Sequence, residues 1–121
     1  MRNSGEAVKR SKPQPSEASI SEHDVQAQIL DYLRFKVKFV RRQNVGAAKL
    51  KGHWVRFAKK GDPDIYCIYK GHYIGIEVKK PGEKQSKEQI EAMKEIRAAQ
   101  GTYILAERLD DVTLWFETVA V

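Results

Sequence analysis

Apolar side chains recur along this chain at two periods, and the switches between them outline a fold. Val25, Ile29, Leu30 and Leu33 fall at helical spacing, predicting a helix from near Ser21 to about Phe35. Ser19 and Glu22 have capping-box spacing at its start, and Ser21 with Asp24 offers a similar start. Lys38 to Arg42 and Trp54 to Ala58 read as strands, joined by a loop containing Gly and Lys. Ile65 to Tyr69 and Tyr73 to Lys79 read as a hairpin turning at Lys70-Gly71. A polar loop from Lys80 to Gln85 leads into a second helix, Ser86 to Gln100, with the stripe Ile90, Met93 and Ile96 and a stop at Gly101. Tyr103 to Ala106 and Thr113 to Phe116 read as short strands around a turn or helical step at Leu109 to Val112. Helix, several strands, helix and strand in that order predict an α/β architecture, a mixed sheet flanked by helices.

Residues 1 to 18 break the pattern. They are rich in Ser, Pro, Lys and Glu and poor in bulky apolar side chains, so a disordered tail is expected there, followed by one domain over residues 19 to 121. No run approaches the roughly 18 to 20 apolar residues of a membrane span, and the N-terminus lacks the apolar segment of a secretory signal. Neither a membrane partner nor export is therefore expected. The single cysteine, Cys67, excludes an intrachain disulfide and multi-cysteine zinc arrays, and on its strand it reads as a small core residue.

Charge changes the picture more. Between Arg34 and Lys60 there are ten Lys or Arg and no Asp or Glu, whereas the other 94 residues carry 12 basic and 16 acidic side chains. The excess behind the net charge of +6 therefore lies in one block. A solvated charged face accounts for short runs, but a block this long without counter-charges repels itself, and a polyanionic partner, nucleic acid, explains it better. Arg41, Arg42, Gln43, Asn44, Lys49, Lys51, Arg56, Lys59 and Lys60 are the candidate phosphate contacts, serving to position DNA with little base reading. Trp54 and Phe57 read first as core residues, with stacking on exposed bases as their other use.

Candidate chemistry concentrates in Gly61-Asp62-Pro63-Asp64 and, thirteen residues after Asp64, Glu77-Val78-Lys79. Strand alternation puts Ile74, Ile76 and Val78 on one face and Tyr73, Gly75, Glu77 and Lys79 on the other. A turn centred on Lys70-Gly71 sets Asp64 opposite Glu77, with Cβ atoms about 4.5 to 5.5 Å apart. Two carboxylates that close repel each other, and a hard divalent cation compensates: Mg²⁺ takes one or two carboxylates and accepts phosphate oxygens. Lys79 beside it can hold or polarise a water. The plain alternative is a solvated Glu-Lys pair after a Pro-Asp turn. The register of Asp64 and the basic block weigh against it. His23, His53 and His72 show no metal-ligand spacing.

Pro63-Asp64 with Glu77-Val78-Lys79 resembles the PD-(D/E)XK nuclease motif. The longer run Gly61 to Asp64, Ile76 to Lys80 and Ser86 to Gln89 resembles its VRR-NUC branch, which includes small stand-alone viral or phage nucleases. The resemblance spans about Glu22 to Phe116 and implies a restriction-endonuclease-like fold. It also implies Mg²⁺-dependent phosphodiester hydrolysis, with Mn²⁺ substituting, on branched DNA such as four-way junctions. On that reading Asp64 and Glu77 hold the metal with the Val78 carbonyl, and Lys79 acts on the water. Glu22 matches a first-helix metal ligand and shares one direction with Gln26, Ile29 and Leu33 within about 40°. Its other reading is the capping box with Ser19. Gln89 matches a position near the active site, while Ser86-x-x-Gln89 is itself a capping box. Resolving a four-way junction takes two symmetric nicks, so a homodimer is expected, working inside a bacterial or phage-infected cell. A flap, splayed-arm or simple nicking enzyme, a sequence-specific restriction endonuclease and a catalytically silent DNA-binding module are the alternatives. No separate recognition domain speaks for a restriction enzyme, and the intact Asp and Glu-x-Lys core speaks against a silent module.

Overall fold

The computed structural model describes residues 20–43, 47–56 and 59–119. The expected tail, Ser19, Asn44 and Phe57 lie outside the described residues. The element order is α1 (Glu22–Lys36), β1 (Phe39–Arg42), β2 (Ala47–Leu50), β3 (His53–Arg56), β4 (Ile65–Tyr69), β5 (His72–Val78), α2 (Lys87–Ala98), β6 (Thr102–Ala106) and α3 (Leu109–Thr118). A four-stranded mixed sheet runs in the order β1-β4-β5-β6, and β2 and β3 form a sheet of their own. The chain is thus a mixed α/β protein, and no described helix is long and apolar enough to cross a membrane.

Helix α1 begins at Ser21, whose hydroxyl accepts the Asp24 N–H at 3.1 Å. Glu22 and Asp24 in its first turn and Arg34 and Lys36 in its last complement the helix dipole. Its buried side chains are Val25, Ile29, Leu30 and Leu33. They meet Ile65 and Cys67 of β4, Ile74, Ile76 and Val78 of β5, Ile104 and Ala106 of β6, and Val112 and Phe116 of α3 in one core. Each large aliphatic side chain buried there contributes about 1.5–3 kcal/mol. Cys67 is fully buried, and the apolar surroundings push its thiol up to about 11, which suits an inert core residue.

The central hairpin pairs Ile65 with Ile76 and Tyr69 with His72, so its turn is Lys70-Gly71 as the sequence predicts. Both turn residues have positive φ, 52° and 80°, the backbone of a two-residue turn whose twist matches the strands. Strands β5 and β6 are parallel, and α2 is the crossover between them. Because α1 and α3 fill one sheet face, α2 covers the other. Only Ala92 of α2 is buried, and Ile90, Met93 and Ile96 are half-buried.

Three expectations about local structure need correction. The segment 113–116 is not a strand but the second half of α3. Asp111 Oδ2 accepts the Glu107 and Arg108 N–H groups at 2.8 and 3.2 Å, and Val112 and Phe116, four apart, enter the core together. The loop before Trp54 contains a strand, β2, completing a hairpin through Lys51 and Gly52 at φ 51° and 82°. At the end of α2 the left-handed residue is Gln100 (φ 68°), not Gly101. The Gln100 and Gly101 N–H groups donate to Arg97 and Ile96 carbonyls at 3.0 and 2.8 Å, closing a Schellman motif without glycine at its usual position.

Candidate active site

Counting one step past the last ladder pair, Ile65 with Ile76, brings Asp64 opposite Glu77, and the two carboxyl groups act on each other. Asp64 Oδ2 accepts the Val78 backbone N–H at 2.9 Å, and its own carbonyl accepts the Gln43 N–H at 2.7 Å. Those two bonds fix the carboxylate at the end of β5. Glu77 is the one buried charged residue among those described, 3% exposed. Its Oε2 accepts from Gln89 Nε2 at 3.0 Å, while its Oε1 is buried with no hydrogen-bond partner.

A buried carboxyl beside another carboxylate resists ionisation. Burial first, and Asp64 second, push Glu77 up to about 8, against the pull of Lys79. Asp64 is also raised, mainly by burial, with the Val78 N–H, Lys79 and Arg42 opposing. Each carboxyl group acts on the other, so the protonation of one depends on that of its neighbour. Lys79 acts electrostatically on Asp64, Glu77 and Glu22 alike. It is the half-buried cation beside the three carboxyl groups.

Helix α1 enters through its first residue. With Ser21 as the cap, Glu22 is the first helical position, so the helix start does not use it as a capping-box partner for Ser19. Burial and Glu83 raise its carboxyl, with Lys79 and Lys80 opposing, and its charge is felt by Glu77. Even so, no three Asp, Glu, His or Cys side chains among the described residues converge into a metal-holding group. The close pair is Asp64 and Glu77. The orphaned Oε1 of Glu77, aimed beside a second carboxylate, is what a divalent cation with one or two carboxylate ligands fits.

Gln89 holds both of its expected places at once. Its Oε1 accepts the Ser86 N–H at 2.8 Å and its N–H donates to Ser86 Oγ at 3.1 Å, completing the capping box, while Nε2 reaches Glu77. One residue that sequence reasoning passed over also lines the site. The hydroxyl of Tyr103, paired with Gly75 on the Glu77 face, accepts from Gln85 Nε2 at 3.1 Å and is pushed up to about 12 by burial and by Glu77. Only the parallel β5–β6 register reveals it, and no local pattern encodes that register.

Two glycines let the Asp64 loop settle here. A Cβ on Gly75 would stand 2.8 Å from Pro63 Cγ, so the proline ring lies over a residue without a side chain. Gly61 has φ +95°, and a Cβ there would run into the Glu88 backbone in the first turn of α2. Gly61→Ala should therefore cost more stability than Gly82→Ala, where φ is +82° but nothing lies within 4 Å. The φ cost alone is about 1 kcal/mol. Urea denaturation of the two variants checks this, and equal losses would show that the Gly61–Glu88 approach is not tight.

The basic block divides. Arg41 and Arg42 are exposed on β1, with the Arg41 guanidinium 4.2 Å from the Phe39 ring centroid. Arg42 acts on Asp64 and also borders an open groove of about 250 Å³ along α1, with His23, Gln26, Leu30, Asp31 and Arg34. Lys49 and Arg56 are positions of the β2–β3 hairpin, and exposed Lys51 is in its turn. Lys59 and Lys60 instead lie against α2, where Lys60 Nζ is 3.8 Å from Glu88 Oε2. The block free of acids in sequence thus gains a counter-charge in space, an exposed pair worth little in itself. Trp54 is not a core residue: it is 73% exposed. His72 Nε2 makes a 2.7 Å hydrogen bond with Thr102 Oγ1 across β5 and β6, a structural role.

The chain matches no protein-family model and no curated protein sequence.

Proposed function

We propose that this chain is a divalent-cation-dependent endonuclease that hydrolyses DNA phosphodiester bonds, built on the restriction-endonuclease-like, VRR-NUC-type plan that its motif resembles. The observation that carries the reading is the unpartnered, buried Oε1 of Glu77 set beside Asp64. A fold that only needed a polar residue at this position would not leave it short of a partner next to a second carboxylate. Asp64 and Glu77 would hold Mg²⁺ or Mn²⁺, with the Val78 carbonyl and Glu22 at the margin of the site. Bound there, the cation supplies Lewis-acid polarisation of a phosphoryl oxygen. Gln89 orients Glu77 by its hydrogen bond. Lys79 holds the attacking water and offsets negative charge gathering at phosphorus. Arg41, Arg42 and the hairpin cations would seat the backbone on either side.

In this reading the substrate is branched DNA, four-way junctions foremost, cut by a homodimer whose two centres make paired nicks inside the cell. A cleavage panel of linear, flap and four-way DNA, with and without Mg²⁺, tests it together with sedimentation. The expected result is Mg²⁺-dependent cutting strongest on the four-way substrate, by a species of about twice the 13.9 kDa chain mass. A monomeric mass with single nicks in place of paired ones would replace the resolvase with a flap or nicking enzyme. Absence of cutting on every substrate with either metal would remove the nuclease reading.

A further inference from the structure

Strands β2 and β3 stand apart from the rest of the fold. They pair with each other in a separate two-stranded sheet and pack extensively on no other element. A two-stranded ribbon of this kind gains little stability from its own side chains. Its register pairs Lys49 with Trp54 and Ala47 with Arg56, so the positions of Lys49, Trp54 and Arg56 share one face. Those of Ala48, Leu50 and Val55 occupy the other. Exposed Lys51 forms the turn between them. On the cationic face the indole of Trp54 is 73% exposed. A single exposed apolar side chain needs no explanation. A tryptophan flanked by cationic positions on a separately paired ribbon, within 27 residues that carry no acidic side chain, is a different object.

We propose that the β2–β3 hairpin is an arm that binds unpaired DNA, with Trp54 stacking on an exposed base and Lys49, Lys51 and Arg56 following the phosphates. An indole offers a broad apolar face that any base can cover, and flanking cations supply sequence-independent attraction to the strand. A duplex keeps its bases stacked inside, so the arm favours single-stranded stretches, frayed ends or the open centre of a branch. The inference shares with the proposed function the nature of the partner, nucleic acid, but not the hydrolytic chemistry.

The test uses the full chain, without divalent cation, and two fluorescein-labelled probes: an oligothymidylate and a blunt, fully paired duplex. Trp54→Ala should weaken oligothymidylate binding about ten-fold or more, the range that loss of one stacked base spans. It should change duplex affinity by no more than about two-fold, and Trp54→Phe should retain most single-strand binding. Trp54 is exposed, so an unchanged melting temperature is expected as well. The chain has two tryptophans, and the second, Trp115, packs on Phe116 at 5.1 Å. In a Trp115→Phe background Trp54 is the sole indole, and oligothymidylate should quench its emission. Unchanged oligothymidylate affinity, or an equal loss on both probes, overturns the proposal. So does a fall in sedimenting mass on Trp54→Ala, which would make this face a contact between two copies. An inactive chain that still binds single strands through Trp54 would sink the nuclease reading and leave the arm. A Mg²⁺-dependent nuclease indifferent to Trp54 would do the reverse.

Discussion

Lys79→Ala, Glu77→Gln and Asp64→Asn should each lose cleavage under single-turnover conditions by about 10²–10⁴-fold or more, while the fold and most DNA affinity survive. On the proposed reading affinity comes from the cations of β1 and the hairpin, none of which is altered. The three side chains differ in what they contribute. On that reading Asp64 and Glu77 supply carboxylate oxygens, and an uncharged amide in either place holds a hard cation more weakly. Lys79 carries the positive charge next to both. Higher Mg²⁺ should therefore partly rescue Asp64→Asn and do nothing for Lys79→Ala. Near wild-type turnover by purified Lys79→Ala would end the assignment of that residue to the attacking water.

Glu77→Gln should also make the cation-free protein more stable, most clearly at alkaline pH. The sign follows from the raised pKa. Unfolded, Glu77 titrates near its ordinary value of 4.5, whereas folded it holds its proton up to about 8. Between those values the folded state binds more protons than the unfolded one, so stability falls as pH rises through that window and levels off above about 8. Below about 4.5 both states are protonated and the group has no effect. The full swing is on the order of a few kcal/mol, part of it shared with Asp64 because the two groups titrate together. Glu77→Gln should flatten the slope, because an amide can accept from Gln89 and donate to Asp64 without ionising. Mg²⁺ should restore the wild type at alkaline pH, by about 2.7 kcal/mol at a hundred times its dissociation constant. It should do little for Glu77→Gln. Thermal melts from pH 5 to 9, with Mg²⁺ or with chelator, give all of these readings. A wild type whose stability does not fall across the window would mean that Glu77 ionises freely and that the pair is not strained.

Asp64 and Glu77 could be set opposite each other from sequence because one short turn fixes the register of a whole hairpin. Once Lys70-Gly71 is the turn, every later pair is counted off it, and the chemistry lies at the far end of that count. Gln89 was legible for a similar reason, since a capping box ties a side chain to a known backbone position. Tyr103 was not, because β6 reaches β5 through a helical crossover, and its parallel register depends on how α2 packs. Helix α3 misleads because Thr113, Trp115 and Phe116 are residues that strands favour. The stripe that decides the matter, Leu109, Val112 and Phe116, acts only once α3 packs on α1 and β6. Ala47 and Ala48 gave no strand signal, since alanine is depleted in strands, and only pairing with β3 makes β2 one. Trp54 reads as core by composition, and only the separation of its hairpin from the main sheet puts it in solvent.

The two-ended use of Gln89 removes a freedom that most helix starts enjoy. Elsewhere a capping box accepts glutamate as readily as glutamine, since either offers an oxygen to the backbone N–H three residues earlier. Here the same side chain must also present an N–H to Glu77. A glutamate would keep the cap and put a third carboxyl against a pair that already resists ionisation. Two amino acids that are near-synonyms at an ordinary helix start are therefore not interchangeable at this one.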